Sequence, residues 1–133
     1  MINLDTNVLL RLVLKDDARR AARAESLLTR CVEKNEACLV TEVVLCELAW
    51  VLQRTYRASR AELLAVLDHL ASGSPFAFQD PDLLRQAVAS FRQGRQELAD
   101  LLIGLRGEAT GAATTYTFDR GLRRTAEFTL LEA

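Results

Sequence analysis

Ile2-Asn3-Leu4-Asp5-Thr6-Asn7-Val8-Leu9-Leu10 opens the chain and sets the reading of everything after it. Ile2 to Leu4 reads as a short strand, and Asp5-Thr6-Asn7 starts a helix through about Leu14, with Asp5 at its N-cap. The same alternation continues along the chain. Asp16-Asp17 begins a helix to about Lys34, in which Ala18, Ala21, Ala22, Leu27, Leu28 and Cys31 recur at helical spacing. Ala37 to Val40 is a short buried strand, Thr41 caps a helix to about Tyr56, and Ser59 starts another to about Ala71 that Ser72-Gly73-Ser74-Pro75 ends. Phe76 to Phe78 is a third strand. Asp80-Pro81 then places Pro at the first position of a helix that ends near Gln93-Gly94. Gln96 to Glu108 is helical and stops at Gly111, Ala112 to Thr117 is a fourth strand, Asp119-Arg120-Gly121 turns into a short helix, and Phe128 to Leu131 is a fifth strand. Strands alternating with helices predict parallel pairing. The expected fold is α/β, a three-layer α/β/α sandwich on a short parallel sheet of four or five strands. At 133 residues the chain is expected to form one domain, 1–133, with a real core.

Four carboxylates interrupt apolar stretches of this pattern. Asp5 follows Met-Ile-Asn-Leu, and Glu47 is the only charged residue between Val43 and Leu52. Asp100 is the only one between Leu98 and Leu105, and Asp119 ends Thr-Thr-Tyr-Thr-Phe-Asp. A lone ionised carboxylate is costly to bury without a partner or a metal. Singly, the three aspartates read as helix caps, a turn former or acceptors for free backbone N–H groups. Glu47 has no obvious local partner. In an open α/β sheet, ligands bind beyond the carboxyl ends of the strands. Asp5 and Asp119 lie just past the first and fourth strands, and would face each other if those strands were neighbours. Glu47 and Asp100 lie early in adjoining helices and could lean into the same cleft. Four carboxylates together repel one another, and a divalent cation removes the conflict. All-oxygen ligation selects Mg²⁺ or Mn²⁺ over zinc, and the single histidine, His69, leaves too few nitrogen ligands for a zinc hydrolase. Such a site suits phosphodiester hydrolysis.

Bulk composition sets the bounds. The formal net charge is −1, so overall charge does not steer the protein to nucleic acid. Fifteen of the seventeen cations are Arg, whose planar fork can bind two phosphate oxygens, although Arg19, Arg20 and Arg23 read first as a solvated helix face. Three cysteines, Cys31, Cys38 and Cys46, with no CxxC pair, argue against a disulfide framework or a zinc site and fit a reduced, cytoplasmic setting. No signal peptide is evident, and no apolar run approaches the roughly 20 residues of a membrane span.

Leu4-Asp5-Thr6-Asn7-Val8-Leu9-Leu10, Glu47-Leu48-Ala49-Trp50-Val51-Leu52, Leu98-Ala99-Asp100-Leu101-Leu102-Ile103 and Thr117-Phe118-Asp119-Arg120 together resemble the PIN-domain ribonucleases, and among them the VapC-like toxins of toxin–antitoxin pairs. The resemblance implies a Mg²⁺- or Mn²⁺-dependent endoribonuclease with Asp5, Glu47, Asp100 and Asp119 as metal ligands, and with Thr6, Asn7 and Thr117 adding hydrogen bonds near the metal or the attacking water. It also implies an RNA substrate such as tRNA or rRNA, a homodimer, and a small antitoxin covering the acidic cleft. Glu97 stands where many relatives carry Asp and is a candidate outer ligand. Glu42 competes with Glu47 for the second position. Two other readings bear on the same residues. A haloacid-dehalogenase-type phosphotransferase needs an Asp two residues after the first, where this chain has Asn7. A non-catalytic RNA- or partner-binding module would not need all four acids.

Overall fold

A computed structural model describes residues 1–73 and 75–132, so Ser74 of the expected helix stop lies outside the described residues. The chain divides into two compact units, Met1–Pro81 and a second that begins at Asp82. Among the described residues no helix is long and apolar enough to cross a membrane.

The first unit runs β1 (Ile2–Asn3), α1 (Thr6–Leu14), α2 (Ala18–Glu33), β2 (Cys38–Val40), α3 (Glu42–Arg54), α4 (Arg60–Ala71) and β3 (Phe76–Phe78). Its strands form a parallel sheet in the order β1-β2-β3, with Ile2 opposite Cys38 and Cys38 opposite Phe76. Just past β1, the Leu4 N–H still donates to the Leu39 carbonyl at 3.0 Å, which puts Asp5 immediately beyond the carboxyl end of the strand. The polar residues read as helix starts act as such. Asp17 accepts from the Arg20 N–H at 3.0 Å, and Thr41 accepts from the Val44 N–H at 3.3 Å. Ser59 and Glu62 close a capping box, each side chain accepting from the other's backbone N–H at 3.1 and 3.0 Å. Removing this cap by Ser59→Ala is expected to cost about 1 kcal/mol, read as a lower urea midpoint at unchanged m-value. The core of the unit is aliphatic: Leu4, Leu9, Val40, Leu45, Leu48, Leu63 and Leu67 are buried. Cys38 is buried among them beside the Cys31 thiol, and burial is the main reason its own thiol is pushed up to about 11.

The second unit holds α5 (Pro81–Gln93), α6 (Leu98–Ala109), β4 (Thr115–Thr117), a single 3-10 turn (Arg120–Leu122) and β5 (Phe128–Leu130). Pro81 opens α5, where its missing N–H is no loss. Leu84, Ala87, Val88 and Phe91 of α5, Leu98, Leu101 and Leu102 of α6, and Leu122 and Phe128 are buried. β4 and β5 pair in parallel, Thr115 opposite Phe128. α6 ends in a Schellman motif: Gly111, at φ 104°, lets its N–H reach the Glu108 carbonyl and the Ala112 N–H reach the Gly107 carbonyl at 2.9 Å. That closure is why β4 begins at Thr115 and not at Ala112. Likewise α6 begins at Leu98 and not at Gln96. Glu97 is extended (φ −74°, ψ 150°), and the Gln96 side chain instead donates to the Thr125 hydroxyl at 2.8 Å.

The architecture is α/β with short parallel sheets, as the alternation predicts. Its five described strands hydrogen-bond as two sheets, β1-β2-β3 and β4-β5, so β1 and β4 are not paired neighbours.

Candidate active site

Asp5 caps α1 from the end of β1. Its carboxylate accepts the Thr6 N–H at 2.7 Å and is exposed. Thr6 turns inward and is buried, and its hydroxyl has no hydrogen-bond partner among the described residues. A buried hydroxyl without a partner is costly, so this one next to Asp5 calls for a water or a ligand. Asn7 is exposed and lines a cleft with Val8, Arg11, Arg20, Arg23, Ala24 and Leu27.

Glu47 lies in the second turn of α3 and is exposed. Its neighbours on the same helical face, Val43 and Trp50, are 78% and 57% exposed. The apolar run around Glu47 therefore does not bury it: Leu48, Ala49 and Leu52 face the core and Glu47 faces outward. Glu42, in the first turn, points elsewhere. It raises the Cys46 thiol one turn on, second to the burial of that thiol, and sits about 140° around the helix from Glu47. One face of α3 can present only one of the two.

In the second unit, Asp100 occupies the first turn of α6, where the free N–H groups and the helix dipole favour an anion. Its carboxyl is nevertheless raised above the usual aspartate range. Burial is the main cause, followed by the like charges of Glu97 and Asp119. These three acids thus form one electrostatic group. Asp119 stands past the end of β4, starts the 3-10 turn by accepting the Gly121 N–H at 2.8 Å, and donates its own N–H to the Thr117 hydroxyl at 3.0 Å. Thr117 acts on the acid by orienting its backbone. Phe118 beside Asp119 is 69% exposed, and Ile103, one turn after Asp100, is 55% exposed.

Of the four acids, Asp100 alone is partly buried, while Asp5, Glu47 and Asp119 face solvent. Among the described residues no group of three or more His, Cys, Asp and Glu side chains is arranged to hold a metal ion. The chemistry of the donors still fits a hard cation. They are carboxylate oxygens, and Asp100 carries an unfavourable surplus of negative charge that a divalent ion would offset.

Two clefts of the first unit differ in kind. One, of about 420 Å³, is lined chiefly by Leu9, Leu12, Val13, Leu28, Val66 and Leu70, with a Lys15–Glu25 ion pair of 3.3 Å and the exposed His69 at its edge. Its apolar wall does not suit a polyanion, and His69 stands apart from the candidate acids in the chain. The other is the arginine-lined cleft at Asn7, also about 420 Å³. The charge pattern of α2 contained its signal, but the sequence alone could not say that Arg11 of α1 joins Arg20 and Arg23.

The chain is similar to a VapC ribonuclease of Aquifex aeolicus (strain VF5), 22% identical over 121 residues, which span 91% of this chain and 89% of that protein. The family model of the PIN domain matches residues 2–128, taking in Asp5, Glu47, Asp100 and Asp119, and the chain therefore belongs to the PIN-domain family of nucleases.

Proposed function

We propose that the protein is a metal-dependent endoribonuclease that hydrolyses RNA phosphodiester bonds as the toxin of a toxin–antitoxin pair. The observation that carries this reading is the family match, which runs through both compact units and also supports treating 1–133 as one domain. Asp5, Glu47, Asp100 and Asp119 would hold Mg²⁺ or Mn²⁺, with Glu97 as an outer acid. When bound, the ion supplies a polarised phosphoryl oxygen and a water of lowered pKa. The chain's own groups prepare the rest. The Thr6 hydroxyl offers an unused hydrogen bond beside Asp5, Asn7 adds an exposed amide on the first turn of α1, and Thr117 fixes the turn that presents Asp119. Single-stranded segments of tRNA or rRNA are the substrates whose bases can splay into such a site. A small antitoxin protein would cover the acids, together with the exposed apolar side chains of Val43 and Trp50 that flank Glu47 on α3, and the protein would act as a homodimer.

The test is incubation of a total tRNA and rRNA pool with the purified protein in Mn²⁺, in Mg²⁺ and in EDTA, with Asp5→Asn run in parallel. Discrete fragments that require metal and Asp5 are expected. A folded wild type, free of antitoxin, that binds RNA but leaves the pool intact would instead identify a binding module.

A further inference from the structure

The geometry points to a second feature of the first unit, an RNA-backbone track that leads away from Asp5 along α2. This rests on the nuclease reading. The cleft at Asn7 is lined by Arg11, Arg20 and Arg23, and a second cleft, of about 400 Å³, shares Arg23 and Leu27 with it and adds Arg30. Neither lining contains an acid, although Arg11 and Arg20 of the first cleft pair with Asp16 at 2.8 Å and Asp17 at 3.5 Å.

Two observations point to an anionic ligand. The Arg11 Nε is buried with no hydrogen-bond partner among the described residues, although the same guanidinium holds Asp16 through another nitrogen. An N–H of a cation withdrawn from water needs an acceptor. Arg23, at the junction of the two clefts, is exposed and has no ion pair or hydrogen bond among the described residues. From Arg20 through Arg23 to Arg30 is ten residue steps along α2, about 15 Å along the helix.

Cations at intervals along a line suit a polymer with regularly spaced charges, and the guanidinium fork binds two phosphate oxygens at once. The track begins at Asn7, the second residue of the helix that Asp5 caps. A strand cut at Asp5 has to leave the site in some direction, and this cleft is a basic path that starts there. Val8, Ala24 and Leu27 give it an apolar floor for sugar and base faces. An acidic peptide would satisfy the charges but gives no reason for the track to start beside Asp5, so RNA is the occupant inferred.

The experiment measures binding of a short fluorescein-labelled oligouridylate by anisotropy in EDTA across a salt series. The proteins are wild type, Arg23→Gln/Arg30→Gln, Arg23→Lys, and Arg85→Gln as a control that removes one charge on α5. The double variant is expected to bind roughly tenfold more weakly, with the slope of log K against log salt reduced by about 1.4, that of two lost phosphate contacts on a single strand. Arg23→Lys keeps the slope, and Arg85→Gln keeps both slope and affinity. Both arginines tested are exposed, and an unchanged thermal transition confirms that each variant folds. Equal weakening by Arg85→Gln, or an unchanged slope in the double variant, overturns the track. Labelled polyglutamate is titrated in parallel, and a loss confined to its binding also overturns the track and would assign the clefts to an acidic protein. Arginine-dependent binding in a protein that never cleaves RNA supports the track and overturns the nuclease, whereas cleavage with arginine-independent binding does the reverse.

Discussion

Asp100→Asn is expected to make the folded protein more stable while sharply lowering the RNA cleavage proposed for it. Both effects have the same source. Asp100 sits partly buried on the first turn of α6, near Glu97 and Asp119, and its carboxyl is raised by that burial first and by those two charges second. A raised folded-state pKa means that the folded protein holds this proton more tightly than the unfolded chain does. Unfolding free energy therefore falls as pH rises through the ordinary aspartate range to the raised value, and the full penalty stands at neutral pH. Asparagine carries no such penalty. In EDTA at pH 7 the variant should melt higher than wild type by up to about 1 kcal/mol of stability, kept small because a half-exposed carboxylate is screened by water. Well below the ordinary aspartate range, where the carboxyl is neutral in the folded and the unfolded chain alike, the difference should vanish.

Activity moves the other way. If Asp100 is a metal ligand as proposed, its loss is expected to lower the cleavage rate by about 10²–10³-fold. Saturating Mn²⁺ should stabilise wild type by about 2.7 kcal/mol at a hundred times its Kd, and Asp100→Asn by much less. Asp5→Asn makes the useful contrast. Asparagine caps a helix about as well as aspartate, so α1 keeps its start and stability changes little while cleavage is lost. If Asp100→Asn melts lower than wild type at neutral pH, burial and the charges of Glu97 and Asp119 do not penalise its carboxylate as described. Cleavage within a few-fold of wild type would remove Asp100 from the metal set.

The caps explain why so much of the fold was legible. Asp5, Asp17, Thr41 and Ser59 are polar residues directly before apolar periodicity, and each one accepts a backbone N–H at a helix start. Where boundaries moved, a tertiary or turn contact moved them. The Thr125 hydroxyl holds Gln96 outside α6, and the Gly107 carbonyl holds Ala112 outside β4. Strand pairing was less legible because strands of two or three residues carry few ladder bonds and no periodicity that names a neighbour. The exposure of the acids is hidden in the sequence for a related reason. An apolar run on a helix has a buried and an exposed side. Val43 and Trp50 are on the exposed side of α3 with Glu47, so apolar neighbours in sequence did not mean burial. What remained readable was the order and spacing of the acids, all four of which fall within the residues that the family model matches.

Gly104→Val is expected to be strongly destabilising although it leaves every charge in place. Gly104 lies on α6 one turn after Asp100 and is buried. A Cβ there would stand 2.6 Å from the Phe128 Cε2 and 3.0 Å from the Glu127 Cβ. The first contact is the edge of a buried ring and the second adjoins the β5 backbone, so neither can swing away as a flexible side-chain tip would. In an open helix, Gly→Ala gains about 1 kcal/mol from backbone entropy. Here overpacking of about 1–3 kcal/mol opposes that gain, so Gly104→Ala should be near neutral to destabilising. Valine adds two further methyl groups and lower helix propensity, and should cost on the order of 3 kcal/mol, seen as a lower urea midpoint at unchanged m-value. If steric conflict with Phe128 is the cause, Phe128→Leu should recover part of the loss in the double variant, although it destabilises alone. The same push on α6 shifts Asp100 relative to Asp119, so cleavage by the folded fraction of Gly104→Ala should fall as well. A Gly104→Ala protein more stable than wild type would show that α6 and β5 separate without cost, and the close approach would then not be what sets the position of Asp100.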